Sequence, residues 1–141
     1  MKKLVLLLSA LLILTVPAYA QADGQQPIRV GSKLFTEDVL LGHIVYVALE
    51  EAGYPVVDMI STGNTNASRN ALLNNLIDIY PEYTGTALTV FFDSSLIGEL
   101  DAIDSETVYA VVGSSDSAYN DLIWLAPAPI NNSYVLVITQ E

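Results

Sequence analysis

Residues 28–38, Ile28-Arg29-Val30-Gly31-Ser32-Lys33-Leu34-Phe35-Thr36-Glu37-Asp38, put a short apolar alternation, a loop and a helix start in immediate succession. Ile28 and Val30 flank Arg29 and the run stops at Gly31, the pattern of a first strand over 28–31. Thr36 offers an N-cap hydroxyl, and Glu37 and Asp38 fall in the first turn, where the helix dipole favours acids. The helix predicted over 39–52 meets Gly53 at its C′ position. Its apolar residues wrap widely, with Leu40, Ile44, Val47 and Ala48 on one side and Val39, Tyr46 and Leu49 on another. Such a helix packs on a sheet and is covered by neighbours.

The same alternation continues down the chain. A second strand is predicted over 55–60, a loop over 61–65, and a helix over 67–76 with Ala71, Leu72 and Leu76 inward. A third strand follows over 77–80, and Gly85 precedes a helix over 86–92. Residues 93–104 are acidic and irregular, a surface loop. A helix over 105–112 would be capped by Ser105, a buried strand would span 122–125, and a β-rich run closes the chain at 134–138. Strands alternating with helices make an α/β fold, with a mostly parallel sheet and helices on both faces. Ligands on such sheets bind beyond the carboxyl ends of the strands. The loops of interest are therefore 32–35, 61–66, 81–86 and 127–133.

Upstream, residues 1–20 read as a cleavable signal peptide. Lys2 and Lys3 precede an apolar run, and Ala18-Tyr19-Ala20 is a small-x-small cleavage signal. The apolar run is shorter than the roughly 20 residues of a membrane span. Residues 21–27 form a flexible leader and 28–141 one modest domain. The expected location is periplasmic or secreted. The absence of cysteine leaves no disulfide, no lipobox and no thiol chemistry. Beyond the signal peptide, Arg29, Lys33 and Arg69 face all sixteen acids, a net charge of about −13. That surface repels phosphate backbones, which argues against nucleic acid as a partner.

Lys33, beside a helix start, suits an anionic group; a solvated loop lysine is the alternative. In Pro81-Glu82-Tyr83-Thr84-Gly85-Thr86, Gly85 permits close approach and Thr86 brings a hydroxyl to a helix start. Tyr83 could offer its ring face to a cation, or simply pack in a turn. Pro127-Ala128-Pro129 and Asn131-Asn132-Ser133 form a stiffened turn before Tyr134. His43 stands alone in mid-helix. No Gly-x-Ser-x-Gly elbow, phosphate loop or metal-spaced cluster occurs, so no enzyme is indicated and no cofactor is expected.

Three blocks taken together resemble the substrate-binding proteins of glycine betaine/choline/carnitine (osmoprotectant) ABC transporters. They are Val30-Gly31-Ser32-Lys33-x-Phe35-Thr36-Glu37, Ile77-Asp78-Ile79-Tyr80-Pro81-Glu82-Tyr83-Thr84-Gly85-Thr86, and Trp124-Leu125-x-Pro127-x-Pro129-x-Asn131-Asn132-Ser133-Tyr134. The resemblance implies one lobe of a periplasmic-binding-protein-like (type II) fold and a quaternary-amine ligand such as glycine betaine or choline. It also implies an ABC transporter permease as partner. Lys33 and Thr86 would meet the ligand carboxylate, Tyr83 and Tyr134 would wall the ammonium, and Asn132 would line the pocket. Asp38 stands where many relatives carry Gln, an acid that would favour a cation without a carboxylate. The chain stops about where relatives cross into a second lobe, so 28–141 reads as an incomplete binding protein whose second lobe comes from elsewhere. The alternative is a truncated remnant or protein-interaction lobe without independent ligand binding.

Overall fold

A computed structural model describes residues 25–92 and 104–132, together with 137 and 139. The predicted signal peptide, nearly all of the acidic segment, Tyr134 and most of the closing β-rich run lie outside the described residues. Strand β1 (Ile28–Lys33) runs two residues beyond the expected stop at Gly31 because Ser32 and Lys33 are themselves buried. It pairs in parallel with β2 (Val56–Gly63), from Ile28 opposite Val56 to Gly31 opposite Met59. The register then slips, and Lys33 faces Gly63. Ser61 takes up the slip with a left-handed φ of 66° and donates its N–H to Ser32 Oγ at 2.9 Å.

On the other edge of β1, Val30 bridges Ile79 in parallel, and Gly31 N donates to Ile79 O at 2.8 Å. The lateral order is thus β2, β1, then the chain around Ile79, so successive crossovers leave β1 in opposite directions. That is a topological switch point. The fold is α/β, as expected. Among the described residues the sheet has two strands and one bridge, narrower than the pattern suggested. Residues 122–125 are not a strand: Ile123 is 84% exposed and Leu125 66%. An apolar run alone does not establish pairing. Side chains hold this segment instead, through Trp124 Nε1 on Asp116 and Tyr109 Oη on the Trp124 carbonyl.

Helix α1 (Thr36–Glu51) begins with Phe35 as its N-cap, and Thr36 is already inside it. No side chain caps it; Asp38 instead reaches back to accept from the Lys33 N–H at 2.6 Å, tying the first turn to the end of β1. At the other end Gly53 (φ 88°) and Tyr54 donate to the Glu50 and Leu49 carbonyls, a Schellman stop. The inward face differs from expectation: Asp38 and Gly42 are the buried residues, whereas Leu40, Ile44 and Val47 are more than half exposed. The tightest contacts with the sheet fall on a glycine and an acid, which hydrophobic patterning does not register.

Helix α2 (Thr65–Leu73) is capped by Asn64, whose Oδ1 accepts from Ala67 N at 3.0 Å. It ends before Leu76, which is exposed. Helix α3 (Thr84–Val90) starts two residues before the predicted Thr86, so Gly85 lies inside it. Helix α4 (Ser105–Asn120) continues well past 112 through Gly113-Ser114-Ser115, and Asp104, rather than Ser105, caps it on the Thr107 N–H. Val30, Ala71 and Ile77 form the buried apolar centre beside the sheet. Ala87, Leu88 and Val112 form a second one between α3 and α4, flanked by Phe91, Phe92, Val108 and Trp124.

At the end of β2, a Cβ on Gly63 would lie 2.5 Å from the Cβ of Ala67. Ala67 has no rotamer to yield, so α2 itself would have to move. Gly63→Ala is expected to destabilise the chain by about 1–3 kcal/mol, the range for overpacking. Chemical denaturation measures it; an unchanged midpoint would refute this account of the β2–α2 packing.

Candidate functional site

The C-terminal end of β1 and the segment after Ile79 meet at the switch point, and the residues of the first two motif blocks converge there. Lys33 is fully buried rather than a solvated loop residue. Its Nζ forms an ion pair with Glu82 Oε1, and the two side chains are 1% and 5% exposed. Glu82 is the hub of the site: Oε1 also accepts from the Tyr83 N–H at 2.8 Å, and Oε2 accepts from Tyr80 Oη at 2.9 Å. Three donors thus reach it and both oxygens are engaged, as a buried carboxylate requires. Burial, then the neighbouring Glu82 carboxylate, push the Tyr80 hydroxyl far above its ordinary pKa, so it stays a proton donor.

Tyr83 is the N-cap residue of α3. The Lys33 ammonium lies 4.9 Å from its ring centroid and 5.7 Å from that of Phe35. Tyr83 Oη donates to Glu37 Oε1 at 3.0 Å, and Asn132 Nδ2 donates to Glu37 Oε2 at 3.1 Å. Glu37 therefore ties the loop after Pro127 to the start of α3. Burial, then the hydrogen bond to Glu37, raise the Tyr83 hydroxyl well above its usual value. Asp38 is fully buried, and its Oδ2 has no hydrogen-bond partner. Desolvation raises its carboxyl pKa, against the opposing pull of the Lys33 N–H and charge.

Lys33, Tyr83, Glu82 and Asn132 line one open cleft, and Thr86 lines it from within α3. The Thr86 side chain makes no hydrogen bond among the described residues. Asp38 lies beneath Lys33, accepting from its backbone N–H. Tyr134 lies outside the described residues. A Cβ on Gly85 would meet nothing within 4 Å, so packing does not demand glycine there. His43 is exposed on α1.

Sequence reasoning missed the residues that stiffen the cleft from behind. Arg69 on α2 is buried and forms a bidentate pair with fully buried Asp116 on α4, with Nη1 at 2.8 Å from Oδ2. Asp116 also accepts from Trp124 Nε1 at 2.6 Å and from Asn120 Nδ2 at 2.9 Å. The guanidinium stacks 4.7 Å from the Phe91 ring. The signal was present but weak: Arg69 is one of three basic residues beyond the leader. Among the described residues no cluster of His, Cys, Asp and Glu is arranged to hold a metal ion, and no helix is long and apolar enough to cross a membrane.

Residues 26–141 match the family model described as the substrate binding domain of ABC-type glycine betaine transport systems. The chain is 40% identical over 121 residues to the glycine betaine-binding protein YehZ of Escherichia coli K12, covering 84% of this chain and 38% of that protein. It is 37% identical over 122 residues to a glycine-betaine-binding protein of Pseudomonas aeruginosa, covering 86% and 36% respectively. Against the ergothioneine transport permease/ergothioneine binding protein EgtU of Helicobacter pylori the identity is 30% over 121 residues, covering 85% and 21%. The solved structure of apo YehZ from Escherichia coli superposes with a TM-score of 0.67 at 40% identity, over 77% of this chain and 38% of that one. The chain thus spans well under half the length of these relatives.

Proposed function

The chain belongs to the family of substrate binding domains of ABC-type glycine betaine transport systems, and from that premise we infer that it is part of an extracytoplasmic solute-binding component for quaternary amines. It would deliver its ligand to a transporter permease, and the signal peptide read at 1–20 would place it outside the cytoplasm. The observation that carries this reading is Tyr83: its ring already has an ammonium, that of Lys33, at cation–π distance. Its hydroxyl is anchored on Glu37. A quaternary ammonium cannot donate a hydrogen bond, so an electron-rich ring face held in place is the contact it needs. Thr86 adds a hydroxyl on the same cleft.

This face covers one side of a small ligand. Each cation–π contact contributes about 0.5–2 kcal/mol, whereas association costs at least about 4 kcal/mol. Tight binding would then require an opposing surface, from a second lobe in the same protein or in another chain. Isothermal calorimetry with choline and glycine betaine tests the reading. Tyr83→Ala is expected to weaken binding by about 3–30-fold, the factor corresponding to one cation–π contact. Tyr83→Phe keeps the ring and is expected to retain most of the affinity. Equal affinity in Tyr83→Ala and the unmodified chain would overturn the assignment.

A further inference from the structure

From residue 25 to the end of the chain there are three basic side chains, Arg29, Lys33 and Arg69. Each is already paired with a carboxylate: Arg29 with Asp78, Lys33 with Glu82, and Arg69 with Asp116. The two in or behind the cleft are buried with their partners. No cationic side chain of this region carries a charge that an acid does not already balance. The acids are in surplus, since Glu37 and buried Asp38 flank the Lys33–Glu82 pair with no further basic residue to match them.

We propose that the face built by this chain selects organic cations that carry no carboxylate, and that Glu82 sets this preference by engaging the Lys33 charge. The proposal rests on the quaternary-amine reading above and deepens it. A zwitterionic ligand would bring its carboxylate to a face that offers neutral donors, such as the Thr86 hydroxyl, beside a surplus of negative charge. Such donors make charge-assisted hydrogen bonds to a carboxylate, but they bring no positive charge to balance it. A cation without a carboxylate avoids that desolvation. It also approaches Tyr83 without repulsion from Lys33, because Glu82 neutralises the ammonium. A ligand carboxylate at Lys33 would share an ammonium whose charge Glu82 already balances.

The test is titration of the full chain with choline, tetramethylammonium and glycine betaine. The expected result is that choline and tetramethylammonium bind about fivefold or more tighter than glycine betaine, the factor for one poorly satisfied polar group. Glu82→Gln keeps the shape and one acceptor oxygen and leaves the Lys33 charge uncompensated. It should move the choline-to-betaine preference toward betaine by about fivefold, the same factor. The double variant Lys33→Met/Glu82→Leu removes a neutral pair and should leave the preference unchanged. Selective loss of glycine betaine in the double variant would show that Lys33 receives the carboxylate and overturn the proposal. Glycine betaine binding as tightly as choline to the unmodified chain would also overturn it while leaving the quaternary-amine reading standing. Binding of none of the three amines once an opposing lobe is supplied would instead defeat that reading, and the proposal with it.

Discussion

Asp116→Ala is expected to lower the free energy of unfolding by about 3–5 kcal/mol, the range for removing one partner of a buried ion pair. Three donors converge on this carboxylate from α2, α4 and the segment at Trp124. Truncation leaves the Arg69 guanidinium buried without its anion and the indole N–H without an acceptor. It also unties the 122–125 segment, which has no strand pairing to hold it. Denaturant titration followed by Trp124 fluorescence measures the loss, since Trp124 is the single tryptophan of the chain. An unchanged midpoint would rule out a structural role for the pair. The pH dependence has a definite sign. Burial alone would raise the Asp116 carboxyl pKa, but hydrogen bonds from Arg69, Trp124 and Asn120 outweigh it and hold the group below 3.8. A depressed folded-state pKa contributes stability above the unfolded value that is lost as pH falls through the folded one. The gap between the unmodified chain and Asp116→Ala should therefore be full at neutral pH and shrink below about pH 3.9.

Glu82→Ala is expected to be comparably damaging, about 3–5 kcal/mol, because Lys33 would remain buried with no carboxylate. The Tyr80 hydroxyl and the Tyr83 N–H would lose their acceptor as well. Replacing both members, as Lys33→Met/Glu82→Leu, should recover the part of the loss due to the unpaired ammonium, while the Tyr80 hydroxyl and Tyr83 N–H stay without their acceptor. A double-mutant cycle on unfolding free energies makes the comparison. Additive losses would mean that the two residues act independently, against the geometry described here. Stability and the proposed ligand preference thus turn on the same pair.

Part of this was legible without coordinates. The alternation of strand and helix follows from local periodicity, and α1 stops at Gly53 because a left-handed residue is required there. Motif blocks 49 residues apart (Lys33 and Glu82) were grouped on resemblance, and the fold brings them into contact at the switch point. Element limits were less legible. Thr36, Ser105 and Thr86 are reasonable caps by residue type, yet Phe35, Asp104 and Tyr83 occupy the N-cap positions of those helices. Which acceptor reaches an orphan N–H depends on the path of the preceding chain.

The sequence by itself determined the charge inventory: three basic residues beyond the leader, sixteen acids and no cysteine. It also determined the α/β class and the tyrosine-rich block after Ile79. Only the tertiary structure decided that every one of those basic residues is engaged by an acid, because ion pairing depends on contacts between residues 47 to 49 positions apart. Sequence counts charges. Folding decides which of them remain available to a ligand, since burial makes an unpaired charge too costly to keep.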